Sequence, residues 1–141
     1  MGRSAYQVTD RRPIAARRLA LMNRLATRLA GAHVTANAIS IAGMVCGILA
    51  GVSLWRTASA PPLAARFLWL AAALLIQLRL LANLLDGMVA VASGTASQLG
   101  ELFNEAPDRV SDAATLIGLG YAAGGHPTFG WLAALLAVLT A

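Results

Sequence analysis

Five of the six acidic residues in this chain, Asp86, Glu101, Glu105, Asp108 and Asp112, fall inside one window of an otherwise apolar region, together with Asn83 and Asn104. Read as helix, Arg79, Asn83, Asp86 and Ala90 follow the i, i+4, i+7, i+11 spacing of one face. Glu101, Asn104, Glu105, Asp108 and Asp112 share a face of the following helix, and the spacings of three and four let the side chains of the first four reach one volume beside Asp86. Carboxylate and amide oxygens gathered in this way suit a hard divalent cation such as Mg²⁺, Mn²⁺ or Ca²⁺. The competing use is structural, in interhelical hydrogen bonds and salt bridges to Arg79 and Arg109. Five acids on one edge of so hydrophobic a chain favour the metal.

The elements that must hold these residues are membrane helices. Of 141 residues, 58% are hydrophobic and 12% charged, against roughly 25% charged in a soluble domain. A water-soluble enzyme and a disulfide-stapled secreted domain are thereby excluded. From Val34 to Trp55 there is no charge, which is long enough for one span at about 20 residues per crossing. Within it Gly43, Gly47 and Gly51 recur every four residues and open a small-residue groove for a neighbouring helix. Arg56 to Arg66, with Pro61-Pro62, reads as a loop. Phe67 to Leu85 reads as a second span, interrupted by Gln77, Arg79 and Asn83 and closed by Asp86-Gly87. Polar groups at that depth face a protein interior or a wet cavity. A third helix runs from about Gln98 to Ala122, polar in its first half. After a turn over Gly124 to Thr128, Phe129 to Ala141 begins a fourth helix and stops before it can span.

Charge sets the orientation. Seven of the eleven basic residues, Arg3, Arg11, Arg12, Arg17, Arg18, Arg24 and Arg28, precede the first span, and lysine is absent. This predicts a cytoplasmic N-terminus and an acidic site at the cytoplasmic face. Arg56 and Arg66 on the opposite side are outnumbered. Residues 1–9 read as a loose tail. Pro13 to Leu29 reads as an amphipathic helix lying on the membrane, with Ile14, Leu21, Leu25 and Leu29 on one side and Arg17, Arg24 and Arg28 beside them. No convincing cleavage site follows Gly31, so the segment is retained rather than a secretory signal. The basic balance does not indicate nucleic acid, since Tyr6 alone supplies an aromatic near the arginines. Cys46 reads as a small buried hydrophobe, and His33 and His126 lack a second histidine at metal-ligand spacing. The expected organisation is an all-α polytopic transmembrane bundle. It comprises a tail and interfacial helix over 1–31 and a membrane domain over 32–141, the latter with three spans and the start of a fourth.

The acidic window resembles the signature of the CDP-alcohol phosphotransferases, integral membrane enzymes of phospholipid synthesis, which read D-x2-D-G-x2-A-R-x8-G-x3-D-x3-D. Here the same register gives Asn83, Asp86, Gly87, Ala90, Val91, Gly100, Asn104 and Asp108, with every spacing kept. Thr35-Ala36-Asn37-Ala38-Ile39-Ser40 is similar to the T-P-N-x-I-T stretch that opens the family's first span, with Ala36 in place of proline. The resemblance runs from about Pro13 to the end of the chain. Members usually have six spans, so about the last third of the domain is expected to be missing.

The resemblance implies a transferase of the cell inner membrane. It would move a phosphatidyl or related phospho-alcohol group from a CDP-linked lipid donor to a small alcohol acceptor and release CMP. It implies divalent metal, Mg²⁺ or Mn²⁺, with Asp86 as ligand and Asp108 as base and ligand; membrane lipids surround the protein, and a homodimer follows by family analogy. Asn83 and Asn104 stand at ligand positions, and Gly87, Ala90 and Gly100 at positions close to substrate. An asparagine keeps one carbonyl oxygen but no charge, so the matched positions fall from a formal −4 to −2. Glu101 and Glu105 flank Asn104 and are expected to restore that charge as metal ligands. Arg79 is expected to replace the motif arginine, lost at Val91, as a substrate-binding group. Two readings follow: a divergent active enzyme with a rearranged metal cage, or a catalytically degenerate relative acting as a non-enzymatic membrane binding or assembly protein.

Overall fold

The computed structural model describes residues 20–96 and 98–140, with the side chains of 98–104 outside that description. The tail, the first part of the amphipathic helix with Ile14 and Arg17, and the side chains of Glu101 and Asn104 therefore lie outside the described residues, and Gly100 is described only as backbone of α4. The described chain is all-α: α1 (Ala20–Gly31), α2 (Ala36–Arg56), α3 (Pro62–Ala92), α4 (Gln98–Gly120) and α5 (Pro127–Leu139), with a 3₁₀ turn at Thr57–Ser59.

Two of the expected spans are long and apolar enough to cross a membrane, α2 with its 3₁₀ extension (24 residues) and α3 (31 residues). Only 11% of the most apolar stretch of α3 is buried, the reverse of a core helix in a soluble protein. Its outward side chains, including Phe67, Leu70, Leu74 and Leu78, are exposed, and in a bilayer they meet lipid rather than water. Helix α4 has 23 residues and becomes apolar only from Ala113. Helix α5 has 13 residues, too few for a crossing.

Helix α2 is the axis of the bundle. It packs against α3 on one side and α4 on the other, whereas α3 and α4 touch little. The expected glycine groove is what permits this. A Cβ on Gly43 would stand 2.9 Å from Ala82 Cβ of α3; one on Gly47 would stand 2.3 Å from Ser111 Cβ of α4, and one on Gly51 2.3 Å from the Ala114 carbonyl oxygen. These pairings make α3 antiparallel and α4 parallel to α2. The end of the bundle where α2 begins is therefore the end where α3 finishes and where the acidic half of α4 lies.

The second span departs from expectation at both ends. It starts at Pro62, in the first turn where a missing N–H is harmless, so Arg66 lies within it and the loop shrinks to a few residues. It also runs through Asp86-Gly87 to Ala92, because Asp86 points its carboxylate at α2 instead of capping the helix. The stop comes at Ser93-Gly94, where Gly94 takes φ +67 and the Thr95 N–H reaches back to the Ala90 carbonyl. At 1.5 Å per residue α3 is about 46 Å long, against about 30 Å of hydrocarbon. The helix is longer than a single upright crossing requires.

Helix α1 also differs from a helix resting on lipid by its whole apolar side. Ala26 is buried and Leu25, Leu29 and Ala30 pack on a cluster with Ile39, Leu85 and Val89, while Leu21 is exposed. Arg24 and Arg28 are exposed on the other side. The stripe is spent on α3 because the turn at Ala32 and His33 is tight, closed by Val34 N–H donating to the Leu29 carbonyl at 3.0 Å.

Candidate active site

The polar residues converge on the cleft between α3 and α4. Arg79, on α3, is mostly buried, and its partners among the described residues are on α4. Its Nη2 lies 2.9 Å from Asp112 Oδ1 and 3.3 Å from Asp108 Oδ1. Its Nε donates to Ser111 Oγ at 2.9 Å, and Nη2 also reaches the Asp108 carbonyl at 3.4 Å. One turn along α3, Asn83 donates through Nδ2 to the second carboxylate oxygen of Asp108. A guanidinium in a membrane-spanning helix is costly unless paired and hydrogen-bonded, and this one has both kinds of partner.

Asp108 is held from three directions. Arg79 and Asn83 take its two oxygens, and its own carbonyl accepts from Ser111 Oγ at 2.8 Å. Ser111 is itself buried, pressed against Gly47, so the close α2–α4 approach fixes the turn that carries Asp108. Pro107 lies just before it inside α4, where the ring removes one helical N–H.

Asp86 sits deeper, 5% exposed. Its Oδ2 accepts from Ser40 Oγ of α2 at 2.7 Å and its Oδ1 from the Gly87 N–H. Gly87 and Ala90 are buried in the same stretch of α3. The Thr35–Ser40 segment has two local tasks. Thr35 caps α2 by accepting from the Ala38 N–H at 3.2 Å, and Ser40 donates to Asp86.

The structure thus brings together Arg79, Asn83, Asp108 and Asp112, and places Asp86 on the α2 side of α3. Glu105 turns away from this group. It is exposed and pairs with Arg109 at 3.0 Å along its own helix. Ser111, Asp112 and Ser40 take direct parts in the network although the motif spacing did not single them out as site residues. Asp112, four residues after Asp108, carried the signal for the first pairing. For Ser40 the only signal was its place in the stretch that opens α2.

The donor set is entirely oxygen, which suits a hard cation. Asp86, Asp108 and the amide oxygen of Asn83, whose nitrogen is used by Asp108, are the groups that fit one. Among the described residues no three carboxylates, histidines or cysteines close around a single point, and the Arg79 guanidinium stands between Asp108 and Asp112.

A family model described as CDP-alcohol phosphatidyltransferase matches residues 33–141. The chain is 34% identical over 82 residues to the inner membrane protein YnbA of Escherichia coli (strain K12), an alignment covering 58% of this chain and 38% of that protein. No solved structure matches.

Proposed function

This chain belongs to the CDP-alcohol phosphatidyltransferase family, and on that premise we propose that it transfers a phosphatidyl or related phospho-alcohol group from a CDP-linked lipid to a small alcohol, releasing CMP. The observation that carries the reading is Asp108. It stands at the family's last motif position, in a cleft where Arg79, Asn83 and Ser111 fix its orientation.

In this reading Asp86, Asp108 and Asn83 are the residues that would hold a divalent cation, Mg²⁺ or Mn²⁺, and its charge would offset that of the diphosphate, the main requirement of phosphoryl transfer. The acceptor hydroxyl attacks the β-phosphorus. The bond from that phosphorus to the bridging oxygen breaks, and CMP leaves with the electron pair. Asp108 takes the hydroxyl proton. For this its carboxylate must exchange one present partner, Asn83 or Arg79, for the acceptor. Either freed group then has donors to offer phosphate oxygens. The outward apolar faces of α2 and α3 keep the lipid part of the donor in the bilayer while its headgroup meets the cleft. We place the N-terminus and the cleft on the cytoplasmic side, from the arginine excess.

The test is CMP release from a CDP-linked lipid by the purified chain in lipid nanodiscs, titrated with Mg²⁺ and Mn²⁺ over a panel of polyols and polyol phosphates. Metal-dependent CMP release that disappears in Asp108→Asn is the expected result. No release with any metal or acceptor would overturn the transferase reading and favour a non-enzymatic role.

A further inference from the structure

We propose that Asp112 is a positioning residue of this site: it anchors Arg79 so that the guanidinium does not close on Asp108, and thereby leaves the Asp108 carboxylate able to change partners. The inference rests on the proposed function, in which Asp108 serves as base and ligand.

Asp112 follows Asp108 by four residues, so the two carboxylates are neighbours on one face of α4. A single nitrogen, Nη2 of Arg79, serves both. It stands 2.9 Å from Asp112 Oδ1 and 3.3 Å from Asp108 Oδ1. Where one donor is divided between two acceptors, whatever strengthens one contact weakens the other. The shorter contact falls to Asp112, the acid that lies beyond the last position of the family signature.

The guanidinium has a second hold that is independent of the Asp108 carboxylate. Its Nε donates to Ser111 Oγ at 2.9 Å. Ser111 is buried, 1% exposed, and its Cβ lies 2.3 Å from where a Cβ on Gly47 of α2 would stand. The planar fork of arginine makes Nε and Nη2 a rigid unit. Ser111 and Asp112 therefore pin that unit at two points, and Arg79 keeps its place when Asp108 releases it.

Without the Asp112 charge, Asp108 is the one carboxylate left to Arg79 among the described residues. The guanidinium would then turn fully onto it, and a cation or an acceptor hydroxyl would have to displace a charge-assisted pair in a part-buried cleft. Glu105 provides the contrast. It precedes Asp108 by three residues on the same helix but is paired with Arg109 on the exposed side, so loss of its charge leaves Arg79 where it is.

The probe is Mn²⁺ alone, its affinity measured by electron paramagnetic resonance on the full chain in nanodiscs. An affinity does not depend on the fraction of chain that is folded, so a merely structural role of Asp112 would leave it unmoved. Asp112→Asn should weaken Mn²⁺ binding about tenfold, the size of one hydrogen bond to a charged group. Asp112→Glu should restore the affinity to within about twofold of wild type, and Glu105→Gln should stay within the same range. In an Arg79→Gln background, Asp112→Asn should add less than about twofold, because the group it restrains is gone. Wild-type affinity in Asp112→Asn overturns the proposal. So does an equal loss with and without Arg79, which would mean that the Asp112 charge acts on the ion directly. Should Arg79→Gln fail to fold, Glu105→Gln decides: a loss equal to that of Asp112→Asn overturns the proposal, and an unchanged affinity supports it. A wild type that binds no Mn²⁺ overturns it as well. CMP release distinguishes this failure from that of the transferase: release together with an indifferent Asp112→Asn leaves the transferase standing, and the expected affinities without release leave the role of Asp112 standing alone.

Discussion

The hydroxyl of Ser40 lies 2.7 Å from the carboxylate of Asp86, 46 residues further along the chain and on the antiparallel neighbour of its helix. A residue in the first turns of α2 thus orients the buried carboxylate of α3. A hydrogen bond to a charged group contributes about 1.5–3 kcal/mol. Ser40→Ala should lower unfolding stability in detergent by about that amount, and Ser40→Thr should restore most of it by keeping the hydroxyl. An unchanged Ser40→Ala unfolding midpoint would show that Asp86 draws nothing from α2.

The two acids of α4 nearest each other in sequence should behave differently. Asp108→Asn should abolish CMP release at every metal concentration, since in the proposed mechanism it removes the proton acceptor. Glu105→Gln should leave release within about twofold, because its partner is Arg109 on the exposed side and an i,i+4 pair contributes no more than about 0.5 kcal/mol. A large rise in the metal requirement of Glu105→Gln would instead restore Glu105 to the cage. CMP assays of both variants across a metal titration distinguish the outcomes.

The glycines of α2 predict a contrast in tolerance. A methyl group at Gly51 would meet the backbone of Ala114 at 2.3 Å, which no rotamer change relieves. Gly51→Ala should cost about 1–3 kcal/mol, read as a lower unfolding midpoint in detergent. Gly31→Ala, with nothing within 4 Å of the added carbon, should be neutral or slightly stabilising. Equal losses at the two positions would contradict the close α2–α4 approach.

Topology can be checked directly. In a Cys46→Ala background, a cysteine at Ser59 should react with an impermeant maleimide in intact cells, and one at Thr95 only after permeabilisation. Both positions are exposed. The opposite labelling pattern would reverse the orientation read from the arginines.

Helix number, the glycine groove and the residues of the cleft were legible because each depends on local spacing. Gly43, Gly47 and Gly51 announce their groove whatever packs into it, and the interval from Asn83 to Asp108 sets two polar faces at one end of two helices. Less legible were features decided by competition between partners. The sequence around Asp86-Gly87 reads equally as a helix end and as a helix interior, and only the presence of Ser40 across the interface settles it as interior. Glu105 shares a face with Asp108, yet Arg109, four residues later, is a nearer cation than anything in the cleft. The leucines of α1 suit lipid and protein alike, and the tight turn at His33 assigns them to protein.

The two flanks of α2 are joined to it and to each other by different means. Along Gly47 and Gly51, main chain lies against the main chain of α4, with no side chain between that could change rotamer. Across from α4, α3 is seated on α2 as closely, at Gly43 against Ala82, and is tied to α4 chiefly by the reach of Arg79 and Asn83. The molecule accordingly has a stiff keel, α2, with both flanks seated closely on it, and between the flanks a cleft spanned by side chains, where space can open by swinging Arg79 and Asn83 without parting either flank from the keel. For the phosphate-bearing headgroup of the proposed donor, admission would need only those two side chains to yield, while the helix carrying Asp108 stays in register with the keel.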